Sequence, residues 1–409
     1  MGQVNFKLYR YRWIILFSFM IILAINQLLW ITFAPITSDA ASYYGVSDFS
    51  IAFLSMIFMI VYIVISIPAS WVIDTYGFRV GVGIGAVLTG LFGLTRGLLA
   101  TNYTAVLISQ IGIALGQPFI MNALTKVAAR WFPIHERATA SGLGFLAMYI
   151  GIAIGMMLTP FLVDSSNINN MLLLYGGVSV AAALVFLGLS KERPPTPPCP
   201  PGQEGRSLVL DGLKEILRRR DFILLMIVFF IYLGAFNGVT TWIEQILTPR
   251  AFTPTEAGLA GGLMIIGGIV GAFVMPLLSD RYRKRVLFLI IGSGVSIIGL
   301  VGITCATTYW LVLAAAFIFG FFLLSAGPIG FQYGAEIAYP APEGTSNGLL
   351  LLAGQIGGIG CIIGMDVFKS PTTGSMSASL FVLIGLMVLG TLLCTRLKES
   401  SLIRGNTDD

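Results

Sequence analysis

One apolar pattern occurs twice in this chain, at a fixed interval of 206 residues. A long apolar run ends at Asp74, and a second run ends at Asp280, 206 residues later. Residues 139–143 and 345–349 are similar in sequence and lie at the same interval. A repeat of this kind predicts two halves that share one order of helices.

The composition places both halves in a membrane. Charged residues make up 11% and hydrophobic residues 56% of the 409 residues, whereas a soluble globular protein carries roughly 25% charged residues. Apolar runs of about 20 residues are long enough to cross the ~30 Å hydrocarbon core, and the sequence contains about twelve of them. We therefore predict an all-α membrane protein with twelve transmembrane helices in two six-helix pseudo-symmetric halves, an arrangement typical of secondary transporters.

The chain divides at one linker. Residues 1–190 are predicted to form an N-terminal six-helix bundle, and residues 221–409 a C-terminal six-helix bundle with a short cytoplasmic tail. The linker, residues 191–220, begins with a proline-rich run and ends with an amphipathic basic segment. Poly-proline stretches stay extended, and a basic amphipathic segment is expected to lie along lipid headgroups.

The basic residues predict the orientation, because Lys and Arg are retained on the cytoplasmic side. With both termini inside, only Arg250 and Lys369 of the 24 Lys and Arg residues fall outside, and Arg96 lies within a helix. We therefore expect a protein of the plasma or inner membrane, and we interpret the net charge of +5 as a topology signal. The expected partners are the lipid bilayer and a small-molecule substrate, with no nucleic acid, no cofactor and no metal, and the protein is expected to be a monomer.

The turn after the second helix carries a motif. Its sequence, Asp74-x-x-Gly77-x-Arg79, resembles the loop signature of the major facilitator superfamily, which implies the fold of twelve helices. Gly77 permits a tight turn, and Asp74 can pair with a basic residue on a neighbouring helix. The second half has Asp280-Arg281 at this place and lacks the glycine. We predict that pairing across the halves, with Arg79, Arg130 and Arg137 as the basic partners, favours the outward-facing state.

A closer resemblance lies in four short segments. Residues 330–340 and 343–350, together with residues 67–75 and 128–132, resemble the feline leukaemia virus subgroup C receptor-related family. Members of that family transport choline and ethanolamine, and haem export and pyridoxine transport are also attributed to the wider group. The resemblance therefore implies a transporter, although these segments do not specify its substrate.

The same resemblance suggests residues that hold the substrate. In the family a tryptophan of helix 1, glutamines of helices 4 and 11 and a tyrosine of helix 7 do so; here Trp30, Gln117 and Gln355 match, and Asn237 replaces the tyrosine. A tryptophan face attracts a cationic ammonium by up to about 2 kcal/mol. Isolated Trp and Gln residues in membrane helices also serve in packing, which is the alternative interpretation. The predicted substrate-binding residues are Trp30, Gln117, Asn237, Gln355, Asn26, Phe236 and Thr241.

Acidic groups are predicted near helix ends, where water keeps them ionised. Glu244 and Asp366 lie near outer ends, Glu336 lies at an inner end, and His135 lies in a cytoplasmic loop. This placement indicates a facilitator without proton coupling, unless helix 7 unwinds and brings Glu244 to the substrate. Arg96 either pairs with Asp39, Glu244 or Asp366 in an outer gate, or extends to water. The predicted gating residues are Asp74, Gly77, Arg79, Asp280, Arg281, Arg130, Arg137, Arg96 and Glu244.

We therefore interpret the chain as a facilitative secondary transporter of a small polar or amine-bearing solute of the choline/ethanolamine type, working by alternating access. The first alternative is a transporter of haem, a vitamin or a lipophilic drug, with proton coupling as an option. A membrane receptor or sensor is the other alternative. An enzyme is not expected, because the sequence has one histidine and no pattern of nucleophile and base.

Overall fold

A computed structural model describes residues 8–196, 216–339 and 343–400. It contains twelve helices that are long and apolar enough to cross a membrane. The predictions for the amphipathic part of the linker fall almost entirely outside the described residues. His135, predicted in a loop, instead belongs to the first turn of a helix.

The first half contains eight helices. The first span is broken, because Ala34–Ile36 forms a 3₁₀ turn between its two helices. The helices are α1 (Tyr11–Ile31), α2 (Thr37–Tyr44), α3 (Asp48–Tyr76), α4 (Phe78–Leu98), α5 (Tyr103–Met121), α6 (Leu124–Trp131), α7 (Ile134–Ser165) and α8 (Ile168–Leu189).

The second half follows the same plan. Its first span ends at Thr241 and is followed directly by a short helix and a 3₁₀ turn. The helices are α9 (Arg220–Thr241), α10 (Ile243–Leu247), α11 (Pro254–Tyr282), α12 (Arg285–Cys305), α13 (Tyr309–Ala338), α14 (Glu343–Val367) and α15 (Ser377–Cys394).

The helices form two compact units. The first unit contains the described chain up to Phe33, Ser42–Val46, and the chain from Phe53 to the end of α8; the second contains Ala34–Ala41, Ser47–Ala52 and the described chain from residue 216 onward. Two short stretches from the sequence of the first half therefore pack within the second unit.

Three helix pairs are neighbours at equivalent places in both units. In the first unit α1 packs on α7, and α4 packs on α5 and α8. In the second unit the equivalent helices do the same: α9 packs on α14, and α12 packs on α13 and α15. The predicted repeat is therefore a repeat of packing as well as of sequence.

Glycine permits the closest of these repeated crossings. A Cβ atom added to Gly151 of α7 would overlap the carbonyl oxygen of Ala24 in α1. At the same interval of 206 residues, a Cβ atom on Gly357 of α14 would overlap the carbonyl oxygen of Phe230 in α9. Small residues allow helix backbones to approach in membranes, where packing drives association.

We predict that Gly151→Ala and Gly357→Ala each destabilise the protein. The added methyl group meets a backbone oxygen that cannot rotate away, and overpacking of this kind costs about 1 to 3 kcal/mol. The measurement is the unfolding temperature of purified protein in detergent. Gly177→Ala in α8 is the matched control, because no atom lies within 4 Å of its added Cβ; equal losses in all three variants would contradict the prediction.

Candidate functional site

Trp30 lies near the end of α1 and is nearly buried, with 6% of its surface exposed. Its indole Nε1 donates to the carbonyl oxygen of Ser55 in α3 at 3.1 Å. The hydroxyl of Ser55 donates in return to the carbonyl oxygen of Trp30 at 3.4 Å. These bonds fix the plane of the indole and use its polar edge, so a ring face remains for other contacts.

A second set of bonds holds the same two helices from α5. The Nε2 of Gln110 donates to the carbonyl oxygens of Leu29 in α1, at 3.3 Å, and of Leu54 in α3, at 3.2 Å. Its Oε1 accepts from Nη1 of Arg96 at 2.8 Å. Sequence reasoning missed Gln110, although it lies seven residues before Gln117 and therefore on the same helical face.

Arg96 does not form the predicted ion pair. It is completely buried, and its Nη1 donates to the Leu29 carbonyl at 3.1 Å as well as to Gln110. Among the described residues it contacts no carboxylate, and its Nε and Nη2 have no hydrogen-bond partner. The prediction that Arg96 pairs with an outer carboxylate or extends to water is therefore wrong, because the helices around it exclude both.

The amide side chains separate into two groups. Six of them are buried in the described part of the chain: Asn26, Gln27, Gln110, Gln117, Asn237 and Gln245. Four make side-chain hydrogen bonds. Within the described residues, Gln117 in α5 and Asn237 in α9 make no side-chain hydrogen bond. The half-buried Gln355 in α14 makes none either. The amide atoms of these three residues are not among the buried polar atoms that lack a partner, so they face accessible space in which water or a solute can bond to them.

The remaining candidates divide in the same way. Asn26 is fully buried, and its Nδ2 donates to Thr89 Oγ1 at 3.1 Å and to the carbonyl of Ile113 at 3.4 Å. Asn26 is therefore a packing contact between α1, α4 and α5. Thr241 lies one turn after Asn237 on the same face of α9, and its buried hydroxyl has no partner among the described residues. Phe236 is buried beside Asn237 in the sequence.

Sequence reasoning also missed a polar cluster around Asn122, directly after α5. Its Oδ1 accepts from the hydroxyl of Tyr62 at 2.8 Å, and its Nδ2 lies 3.0 Å from the hydroxyls of both Ser66 and Ser70. The three partners stand four residues apart along α3, so they form a polar stripe. That stripe was the sequence signal for this cluster.

The second unit contains a polar network around Glu244. Its carboxylate accepts from the backbone N–H of Ser38 at 2.9 Å, from Thr248 Oγ1 at 2.9 Å and from Gln245 Nε2 at 3.2 Å. Lys369 continues the network, because its Nζ donates to Gln245 Oε1 at 3.1 Å and to Asp48 Oδ2 at 2.6 Å. These contacts join Ala34–Ala41 and Ser47–Ala52 to the rest of the second unit.

Water does not keep Glu244 ionised, in contrast to the prediction from the sequence. Only 1% of its surface is exposed, because α10 turns it into the protein. Desolvation by burial raises the pKa of the Glu244 carboxyl above its ordinary value, and the donors from Ser38 and Thr248 oppose that shift. The group thus combines a buried charge with hydrogen bonds that favour the charge.

The motif turn of the first half is held within its own unit. Lys126 Nζ lies 2.6 Å from Asp74 Oδ1. Gly77 has a φ of 93°, and a Cβ atom there would overlap the carboxylate of Glu192, which accepts from the backbone N–H of Arg79 at 2.8 Å. The glycine is therefore required both by the turn and by the approach of Glu192.

Two of the predicted basic partners have contacts within the same unit. Arg130 Nε lies 4.0 Å from Glu192 Oε1, and Arg137 donates to the carbonyls of Phe132 and Ala129.

The equivalent turn of the second half has a different residue and a different backbone conformation, with a ψ of 38° at Arg283 against 165° at Gly77. Arg283 stands 206 residues after Gly77 and adopts a left-handed φ of 53°. Glu399 accepts from the backbone N–H of Arg285 at 3.0 Å, as Glu192 does in the first half. Arg285 also contacts Asp280 and lies 3.3 Å from Glu336 Oε1. Arg281 is exposed.

Comparison with known proteins decides the family. Residues 18–360 match the Major Facilitator Superfamily. The chain belongs to the major facilitator superfamily. Because this is a family of transporters, the chain is an integral membrane transporter and not an enzyme. The resemblance drawn from the sequence motifs is thereby confirmed.

Curated relatives are similar over most of the chain. Solute carrier family 49 member A3 of Danio rerio is 32% identical over 387 residues, which cover 91% of this chain and 81% of that protein. The choline/ethanolamine transporter FLVCR1 of Felis catus is 31% identical over 425 residues, which cover 97% of this chain and 74% of that protein.

A solved structure shows the same fold. The crystal structure of a bacterial homologue of the human lysosomal transporter Spinster, in an inward-facing and unoccupied conformation, has a TM-score of 0.77 and 15% sequence identity. The similarity covers 96% of this chain and 98% of that one. The predicted fold of twelve helices is thus confirmed, whereas the identity is too low to carry information about the substrate.

We predict that the two glutamines of α5 respond differently to replacement by leucine. Gln110→Leu should lower stability by about 1 to 3 kcal/mol, because it leaves Arg96 and two backbone carbonyls without their partner. Gln117→Leu should leave stability unchanged or raise it, since its amide has no bond to lose. The unfolding temperatures of the two variants in detergent test this; equal losses would show that Gln117 has a structural bond.

We also predict that the stability contributed by Glu244 depends on pH. A carboxyl group whose folded pKa is raised contributes most below its unfolded value of about 4.3, and that contribution is lost as the pH rises through the folded pKa. The parent should therefore lose stability relative to Glu244→Gln as the pH rises above that value. Unfolding temperatures of both proteins across the pH range measure the difference, and a constant difference would contradict the prediction.

Proposed function

We propose that this chain is a facilitative transporter that carries a small polar or amine-bearing organic solute of the choline and ethanolamine class by alternating access. Membership of the major facilitator superfamily supports alternating access, and relatives named choline/ethanolamine transporters support the substrate class. The observation that carries the proposal is the unpaired state of Gln117, Asn237 and Gln355, because a substrate can complete these amides.

The chemistry of these groups suits an ammonium or hydroxyl group. An amide oxygen accepts from either, and an amide nitrogen donates to a hydroxyl oxygen. We propose Gln117 and the face of Trp30 as binding groups of the first unit, and Asn237, Thr241 and Gln355 as binding groups of the second. The absence of the tyrosine that the family has at Asn237 removes one aromatic contact, which favours a substrate with hydrogen-bond donors over choline itself.

The contacts of the buried ionisable groups support transport without proton coupling. Arg96 and Glu244 are the only buried charged side chains in the described part of the chain. Arg96 is a cation that holds Gln110, and the carboxylate of Glu244 has three donors of its own. Neither is bonded to a proposed substrate-binding group, so we propose that no proton exchanges with the substrate and that the solute follows its own gradient.

We propose that the motif turns act as gates on the cytoplasmic side. Asp74 with Lys126 and Asp280 with Arg285 are charge pairs at equivalent turns. Partly exposed pairs of this kind contribute little stability and exchange partners at low cost. The orientation with both termini in the cytoplasm of a plasma or inner membrane follows from the distribution of Lys and Arg.

The test is solute flux into proteoliposomes that contain the purified protein. A thermal-shift screen of choline, ethanolamine, pyridoxine and haem first selects the solute, and uptake of that solute is then measured. Gln117→Leu and Gln355→Leu should each reduce uptake at least tenfold, and Trp30→Ala should abolish uptake of a cationic solute. Gln332→Leu is the control, because Gln332 is exposed and its amide already donates to Glu336.

Coupling is tested with the same vesicles. Uptake should be equal with and without an inward proton gradient at clamped voltage, and Glu244→Gln should not change that independence. Accumulation that disappears with a protonophore would contradict the facilitator. Normal uptake by both glutamine variants would contradict the proposed binding groups.

A further inference from the structure

A basic cavity lies at one end of the second unit, apart from the proposed substrate groups. It has a volume of about 310 Å³ and opens where α9 begins and α13 ends, beside the segment that follows α15. Its lining residues are Arg219, Arg220, Asp221, Ile337 and Lys398.

The walls of this cavity are held in place by hydrogen bonds. Arg219 Nη1 donates to the carbonyl oxygens of Ile337 at 2.6 Å and of Tyr339 at 2.9 Å, where α13 ends. The hydroxyl of Tyr333, a fully buried residue, donates to the backbone carbonyl of Lys398 at 2.7 Å. The segment after α15 is therefore fixed against α13, and the position of Lys398 in the wall is defined.

The cavity has an excess of positive charge. Three of its lining residues are cationic, and Asp221 is the one acid among them. Within the described residues, the side chains of Arg220 and Lys398 form no ion pair. Asp221 belongs to the first turn of α9, where a carboxylate complements the helix dipole.

The neighbouring acids are already engaged. The carboxylate of Glu399 accepts from the backbone N–H groups of Arg285 and Val286, both at 3.0 Å. Glu336 accepts from Arg285 Nε at 3.3 Å. Within the described residues neither acid is thus available to neutralise Arg220 or Lys398, and the single carboxylate of Asp221 leaves an excess of positive charge that an external anion can balance.

We propose that this cavity binds the phosphate group of an anionic phospholipid. The cavity lies at the end of a membrane-spanning helix, where headgroups are located, and basic pockets between helices at that level bind phosphorylated headgroups. Guanidinium and ammonium groups form strong charge-assisted bonds to phosphate. Ile223, on the next turn of α9, is 42% exposed, and Tyr339 is 65% exposed. Both offer apolar surface to the acyl chains of the same lipid.

The test is native mass spectrometry of the full chain released from mixed micelles of phosphatidylcholine and phosphatidylinositol 4-phosphate. The parent should retain the phosphoinositide in preference to phosphatidylcholine. The double variant Arg220→Gln/Lys398→Gln should bind it about 25-fold more weakly, because each basic residue near a membrane surface contributes about fivefold to binding. The control is Arg193→Gln/Lys284→Gln, which removes two exposed charges that are not among the lining residues of the cavity.

Each outcome decides the proposal. The proposal is supported if only the Arg220→Gln/Lys398→Gln variant loses phosphoinositide binding and its unfolding temperature is unchanged. It is overturned if that variant binds the phosphoinositide as well as the parent does, or if the control variant loses as much binding. Soluble inositol phosphate that binds as tightly as the lipid would assign the cavity to a free phosphate compound and overturn the lipid assignment. Phosphatidylserine that binds as well as the phosphoinositide would also support the proposal, because it is an anionic phospholipid, and would show that the cavity needs no phosphate monoester.

Discussion

Polar groups inside a membrane must find their partners within the protein, because hydrocarbon offers none. The first unit satisfies this requirement near the end of α1, where Gln110 and Ser55 bond to the backbone around Trp30. Arg96 is buried because the Leu29 carbonyl and the Gln110 oxygen accept from it. Against this background of bonded amides, Gln117, Asn237 and Gln355 stand out as unbonded, and the proposed substrate site follows from that contrast.

The two halves repeat several local arrangements of helices and turns. Gly151 and Gly357 both allow a backbone oxygen of the neighbouring helix to approach. Glu192 and Glu399 both place a carboxylate on backbone N–H groups where a helix begins after a motif turn. A carboxylate at a helix N-terminus offsets the positive end of its dipole. A positive φ occurs at the equivalent position of both turns, at Gly77 and at Arg283, although the ψ angles differ.

Among the described residues, the second unit differs from the first because it contains a buried carboxylate, that of Glu244. A buried carboxylate with donors from Ser38, Gln245 and Thr248 ties a stretch of the first half's sequence to the second unit. Lys369 and Asp48 extend that tie. A carboxylate held in this way is a structural link, which agrees with the proposal that the solute moves without a proton.

The sequence by itself determined the number of spans, the twofold repeat and the turn at Gly77. Hydropathy and interval are properties of neighbouring residues along the chain, and the backbone at Gly77, with a φ of 93°, is one that glycine adopts most readily. The tertiary structure decided the partners. Arg96 and Gln110 meet Leu29 across 67 and 81 residues, and Glu244 meets Ser38 across 206 residues. No local pattern contains such contacts, because a side chain becomes solvated or buried, bonded or free, only when the helices pack.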